Sequence, residues 1–585
     1  MAWYDEAIFY HIYPLGLCGA PRENTYNGVT HRLQTLIPWI DHIRRIGCNA
    51  IYIGPLFESV GHGYETTDYK KLDSRLGDND DLKRFVKACH KAGLHVIFDG
   101  VFNHTGRDFF AFRDIKEHRE GSRYRDWYCN VNFSGNNEYN DGFSYDNWGG
   151  FNLLVKLNQR NPEVRDYICD VIRFWVQEFD VDGIRLDAAD VLDFDFMKAL
   201  RATANTVKPD FWLMGEVIHG DYTRWVNEGT LHSVTNYHLH KALFSGHNDH
   251  NYFEIAHTVK RLYEMGGNRP EGLKLYNFVD NHDVERIYTK LNNKAHFTPV
   301  HILLYTLPGI PSIYYGSEFA IEGRKEAWSD ASLRPELHLS DYQDAEKNNP
   351  ATRLIARLGA VRQQLPALSW GEYRELMLTN RQYAFSRKSG EDFCVVTVNN
   401  DDSDYVMTLS VEGGDSYEGL LSGERVSVVN GQICVNVKAN SGDIWAPAGK
   451  VKKSRTRRHS EAEAAPADNA PKAAADTPTD TAQEEVLPKE AHAKEDDVKE
   501  ASAEAPAAVA QEAPQVQMRE AVPQPEDDRK APDHAGLSYE DGIIRGLQEA
   551  ILARMEKNGP VTDQMRRDVE NNVYHDSLIN WIKSF

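Results

Sequence analysis

The sequence predicts an α/β protein built on a closed (β/α)8 barrel, and three observations carry that prediction. Eight short, β-rich apolar runs alternate with longer amphipathic stretches over the first two thirds of the 585 residues. Four of those runs end in, or lead directly into, clusters of acidic residues and histidine. Strands interleaved with helices form a parallel sheet, and at this length a sheet closed on itself is the natural solution.

The candidate strands are Ala7–Tyr13, Ala50–Ile53, His95–Asp99, Gly183–Asp187, Phe211–Glu216, Ser233–Asn236, Leu275–Val279 and Pro311–Tyr315. Helical spacing appears between them at Asp81–Ala92, Glu163–Phe179 and Tyr252–Glu264. One interval, 104–158, is too long for a simple connection. It is polar, aromatic and rich in Gly and Asn, and reads as a B domain inserted between the third strand and its helix. The barrel with this insert is expected over 1–365. From 366 to 447 short alternating strands take over, among them Phe393–Asn399, Tyr405–Val411 and Ile433–Val437, with an Asn430-Gly431 turn. They predict a C-terminal antiparallel β-sandwich domain.

Residues 448–535 are rich in Ala, Glu, Pro, Asp and Lys and contain no Phe, Trp or Tyr. Such a stretch buries too little apolar area to offset the entropy of ordering, so a disordered linker is expected. Apolar periodicity returns at 536–585, where Ile544, Leu547, Ile551 and Met555 share a stripe. A small helical hairpin follows from that pattern, either docking on a protein partner or on the rest of the chain, or a tail that affects only solubility or assembly.

Composition narrows the function. A net charge of -22 leaves no basic face for phosphates, which argues against a nucleic-acid partner. No run approaches the roughly 20 apolar residues of a membrane span, and the first residues show no signal-peptide pattern. Seven scattered cysteines without a CxxC pair fit a reducing cytoplasm.

In a barrel of this kind, chemistry sits at the C-terminal ends of the strands. There the sequence reads Asp99-Gly-Val-Phe-Asn103-His104, Gly183-Ile-Arg185-Leu-Asp187, Gly215-Glu216 and Phe278-Val-Asp280-Asn281-His282-Asp283. Breaking a glycosidic bond with retention needs one ionised and one protonated carboxyl group. Arg185 and Asp187 lie two apart on one strand and face the same side, so the guanidinium is expected to hold Asp187 ionised. Glu216, one strand over, is expected to keep a proton because Asp187 and Asp283 repel its charge.

In this order the four segments resemble the motifs of the α-amylase family, glycoside hydrolase family 13. The resemblance implies Asp187 as nucleophile, Glu216 as acid/base and Asp283 as transition-state stabiliser. By the same resemblance Arg185, His104 and His282 surround the sugar next to the scissile bond. Tyr64 of His62-Gly63-Tyr64 would stack on that sugar. No cofactor is required. Family members that hold calcium often use the Asn of the first motif and a His shortly after the nucleophile; Asn103 is present, but Val191 occupies the second place. The histidines at 232, 238, 240, 247 and 250 lack the pairing of a metal site and read as a solvated polar loop.

Ala188, in place of the Val that follows the nucleophile in many α-1,6-specific members, favours α-1,4 linkages. Leu154-Val-Lys-Leu-Asn158 and Glu216-Val-Ile-His219 are similar to segments of cyclomaltodextrinases and neopullulanases. Malto-oligosaccharides are the expected substrate. A glucosyltransferase, isomerase or sucrose phosphorylase on the same scaffold, and an inactive glucan-binding protein, are the alternatives.

Overall fold

The computed structural model describes residues 2–449 apart from 268, 327 and 328. The helical segment expected at 536–585, and all but the first two residues of the expected linker, lie outside the described residues. Eight parallel strands form the barrel: β1 (Phe9–Ile12), β2 (Ala50–Ile53), β3 (His95–Gly100), β4 (Gly183–Leu186), β5 (Trp212–Gly215), β6 (Ser233–Val234), β7 (Tyr276–Asn277) and β8 (Ile310–Tyr314). Their order around the sheet is β6-β5-β4-β3-β2-β1-β8-β7. The ring closes where Thr235 bridges Tyr276 in parallel register and the Asn236 amide donates to the Tyr276 carbonyl at 2.9 Å.

All eight predicted strands exist, and several are shorter than predicted. Asp187 and Glu216 lie one residue beyond β4 and β5, because the chain turns outward as soon as the ladder ends. The strands are buried on both faces and so read as continuous apolar runs.

The outer layer comprises α1 (Ile37–Arg45), α2 (Asn79–Lys91), α3 (Pro162–Phe179), α4 (Phe194–Val207), α5 (Tyr237–Asn248), α6 (Tyr252–Met265), α7 (Phe297–Thr306) and α8 (Pro350–Gln364). Caps fix where these helices begin. Asp78 and Asp81 form a capping box at the start of α2, and the Asn161 side chain accepts from the Glu163 amide ahead of α3. The predicted insert contains a three-stranded antiparallel sheet, His104–Thr105, Asn147–Trp148 and Phe151–Lys156, and a helix, Phe110–His118. A hairpin of Phe57–Ser59 and Thr66–Leu72, unforeseen in sequence, carries Tyr64 in its loop.

After α8 the chain builds a six-stranded antiparallel sheet and a two-stranded one, Tyr405–Ser410 with Gln432–Val437. Phe393, Val395 and Trp445 of the first sheet share a core with Met407, Leu409 and Ile433 of the second, making a sandwich. Buried Arg387 ties this domain to the barrel by donating from Nη1 to the Thr306 carbonyl at 2.6 Å.

The floor of the barrel is an aromatic plug. Phe9 stacks on Trp212 at 5.1 Å between ring centres, Tyr4 covers the same indole at 5.9 Å, and Trp3 stacks on His95 at 4.2 Å.

Beside the plug, Asp182 accepts from the Val96 amide (2.8 Å), His90 Nε2 (2.8 Å) and Lys208 Nζ (2.7 Å). Burial opposes its charge, but hydrogen bonds from His90, His95, Lys208 and Val96 outweigh burial and hold the carboxyl far below the usual carboxylate range. A depressed folded-state pKa contributes stability above the unfolded value of about 3.9, and loses it as pH falls towards the folded value. Asp182→Asn should therefore cost about 2–4 kcal/mol in urea unfolding at pH 7. The gap to the parent should narrow below roughly pH 4; a pH-independent gap would contradict this account.

Candidate active site

The four clusters predicted from sequence meet at the C-terminal mouth of the barrel. Arg185, on β4 and only 3% exposed in its side chain, is their hub. Its Nη1 donates to Asp99 Oδ1 at 2.8 Å and to Asp187 Oδ1 at 2.9 Å, while Nη2 reaches Glu216 Oε2 at 2.8 Å. Ala188 follows Asp187 in a left-handed conformation, φ 45° and ψ 44°. That turn aims its amide at Glu216 Oε2, 3.1 Å away. Tyr237, at the start of α5, donates from its hydroxyl to Glu216 Oε1 at 3.3 Å and accepts from Asn281 Nδ2.

This arrangement corrects one expectation. Arg185 does not serve Asp187 alone; it is shared among three carboxylates. Burial pushes Asp187 well above the usual carboxylate range, with Arg185 opposing it and Glu216, Asp99 and Asp283 reinforcing it. Burial also raises Glu216, Arg185 again opposing and Asp283 adding to the rise. One guanidinium is shared among the three carboxylates, and burial outweighs it at both Asp187 and Glu216. Glu216 has Arg185, Ala188 and Tyr237 as donors, whereas Asp187 has Arg185. The rise at Glu216, with Asp283 contributing to it, runs in the direction expected from sequence.

Asp283 is the most open of the trio, with 34% side-chain exposure against 10% for Asp187 and 15% for Glu216. Arg334 Nη2 holds its Oδ1 at 2.9 Å, and His282 Nε2 lies 3.1 Å from its Oδ2. Arg334 also fixes the backbone there, donating from Nε to the His282 carbonyl at 3.0 Å.

The Tyr64 ring lies nearly parallel to His282, and its hydroxyl meets His282 Nε2 and donates to Asp99 Oδ2 at 3.1 Å. His104 stands behind it, with Nε2 3.1 Å from the Tyr64 carbonyl. Burial lowers the His104 pKa to about 3, so its ring is neutral and donates this bond. It reaches the mouth through Tyr64.

The chain's residues 22–355, more than half its length, match the model for the α-amylase catalytic domain. The chain belongs to the α-amylase family. Its relatives include the cyclomaltodextrinase of a Bacillus species, 29% identical over 430 residues that span 69% of this chain and 75% of that one. Neopullulanase 2 of Thermoactinomyces vulgaris is 30% identical over 475 residues, 76% and 78% of the two chains. Among solved structures, a cyclomaltodextrinase superposes with a TM-score of 0.67 at 26% identity, over 76% of this chain and 78% of that one.

Several residues of this site escaped the sequence analysis. Asp99 and Tyr52 form its base, the Tyr52 hydroxyl donating to Asp99 Oδ2 at 2.8 Å. Asp99 was legible as the start of the first motif. Arg334 lies 51 positions after Asp283 and outside any motif, so only the folded chain reveals it.

The histidines expected on a solvated loop are mostly elsewhere. His238, His240 and His247 belong to α5, and His240 and His247 are buried core residues. Asn103 Oδ1 accepts from Gln159 Nε2 at 3.3 Å. The only cluster of three carboxylate or histidine ligands among the described residues is His31, Asp78 and Asp81, at the α2 cap.

Proposed function

We propose that the chain hydrolyses α-1,4-glucosidic bonds of malto-oligosaccharides with retention of anomeric configuration. The observation that carries this reading is the Arg185 bridge, which draws Asp187 and Glu216 into one buried pair beside Asp283. In the proposed reaction Asp187 attacks C1 of the glucosyl unit while Glu216 gives its proton to the departing glycosidic oxygen. Burial and the Asp283 charge keep a proton on Glu216, while the positive charge that develops on the ring favours ionised Asp187. Water then donates a proton to Glu216 and attacks C1, which releases Asp187 and the sugar in the α configuration. Asp283, pinned by Arg334, supports the ring's positive charge and binds its hydroxyls.

No cofactor enters these steps. Among the described residues no helix is long and apolar enough to cross a membrane. The seven cysteines are all free thiols, five of them buried, which supports a reducing, cytoplasmic setting.

The test is product analysis with maltose through maltoheptaose, with isomaltose and sucrose as controls and with phosphate present or absent. Shorter α-anomeric maltosaccharides are expected from the maltose series, independent of phosphate. Phosphate-dependent release of glucose 1-phosphate would replace the hydrolase with a phosphorylase, and complete inertness would leave a glucan-binding protein.

A further inference from the structure

A cavity of about 610 Å³ lies between the first turns of α7 and α8 and the loops that reach them from β7 and β8. None of its lining residues hydrogen-bonds to Asp187, Glu216 or Asp283, so it stands apart from the catalytic cluster.

One wall is a flat aromatic step. Tyr342, half-buried, lies on the nearly buried Phe319, with ring centres 3.8 Å apart and planes 7° from parallel. Phe319 thus backs one face of the Tyr342 ring and fixes its tilt. Gln343 and Asn348 share the cavity, and their side-chain amides make no hydrogen bond among the described residues. Each amide offers two N–H donors and an acceptor oxygen. Charge in the lining is confined to Lys294 and Asp341. Lys294 is spent on the Tyr288 and Thr289 carbonyls, and Asp341 Oδ1 accepts from Ser340 Oγ at 3.3 Å.

These features select a class of ligand. With its lysine committed to carbonyls, the cavity has no spare cation for a phosphate or a carboxylate. Unpaired amides interrupt the apolar lining, which disfavours a lipid or the apolar face of a helix. A neutral ligand rich in hydroxyls satisfies both halves, because amides exchange hydrogen bonds with hydroxyls and an aromatic ring covers the C–H face of a pyranose. The volume falls within the roughly 300–1,000 Å³ of small-molecule sites. We propose that this cavity is a second saccharide site, which holds a segment of α-glucan with a pyranose ring on Tyr342 and hydroxyls on Gln343 and Asn348. The choice of α-glucan among neutral saccharides rests on the hydrolase reading; the cavity's preference for a neutral saccharide does not.

The test is isothermal titration calorimetry with maltotriose on the full chain carrying Asp187→Asn, which is expected not to turn the probe over. Two binding events are expected, one at the barrel mouth and one in the cavity. Adding Tyr342→Ala should weaken one of them by about tenfold or more and leave the other within about twofold. Gln343→Ala/Asn348→Ala removes no side-chain hydrogen bond within the described residues and should weaken the same event, which keeps the test independent of any loss of folding in Tyr342→Ala. Maltotriose binding unchanged in the amide variant would overturn the site. Competition by inorganic phosphate at that event would overturn the neutral-ligand assignment, and tighter binding of cellotriose there would overturn the α-glucan assignment. Turnover of maltotetraose by the parent judges the hydrolase reading separately. An inert parent that still loses maltotriose binding on Gln343→Ala/Asn348→Ala would refute that reading and leave the saccharide site standing.

Discussion

Asp187→Asn is expected to reduce kcat on maltotetraose by about four orders of magnitude or more, as loss of an attacking group does elsewhere. The amide keeps the volume of the carboxylate and cannot form the glucosyl ester. Arg185 retains Asp99 and Glu216 as partners, so no buried cation is stranded and the melting temperature should shift by no more than a few degrees. A structural role for Asp187 would show the reverse, a large loss of stability with modest loss of rate. A second variant separates the two further. With Asp187→Gly and added azide, azide should take the vacant position and yield a glucosyl azide of β configuration. Activity above about one per cent of the parent in Asp187→Asn would sink the covalent mechanism.

Glu216→Gln should lower kcat by about two to four orders of magnitude on malto-oligosaccharides and should also reshape the pH profile. Burial and the Asp283 charge raise the Glu216 pKa, so its acid form persists above the usual glutamic acid range. In the parent, kcat/KM should fall as pH climbs through that raised value, because the proton for the leaving oxygen is lost. Glutamine does not titrate, and this alkaline limb should disappear. An aryl α-glucoside, whose leaving group needs little protonation, should still form the Asp187 ester at a useful rate. Its slow attack by unassisted water should then appear as a burst. An unchanged alkaline limb in the variant would remove Glu216 from the acid role.

Motif residues were legible in sequence because short strands pin them: Asp187 and Glu216 each follow the last strand residue and must emerge at one rim. The electrostatics were less legible. That Arg185 lies near Asp187 follows from strand alternation, but its reach to Glu216 and Asp99 depends on how β3, β4 and β5 pack side by side. Arg334 and Tyr237 enter from loop and helix starts distant in sequence, where no periodicity places a side chain. The histidines of α5 were misread for a related reason. Polar spacing looked like solvent exposure, whereas His240 stacks flat on Phe278, and His247 donates from Nδ1 to the Leu243 carbonyl and accepts at Nε2 from the Tyr252 hydroxyl in the core. In the C-terminal domain, strands such as Gln382–Ser389 escaped notice because Arg387 and Lys388 interrupt the alternation, and Arg387 is buried against barrel carbonyls.

The aromatic plug of Trp3, Tyr4, Phe9 and Trp212 gives the barrel a single doorway. Substrate, departing sugar and incoming water all pass the same rim, since the opposite end is filled by stacked rings. While the leaving sugar lingers there it stands where water must arrive, and it can be joined back to the glucosyl group. Traffic through one entrance makes the balance between hydrolysis and transfer a function of crowding. Dilute sugar should give hydrolysis, and concentrated sugar should give longer chains from the same three carboxylates.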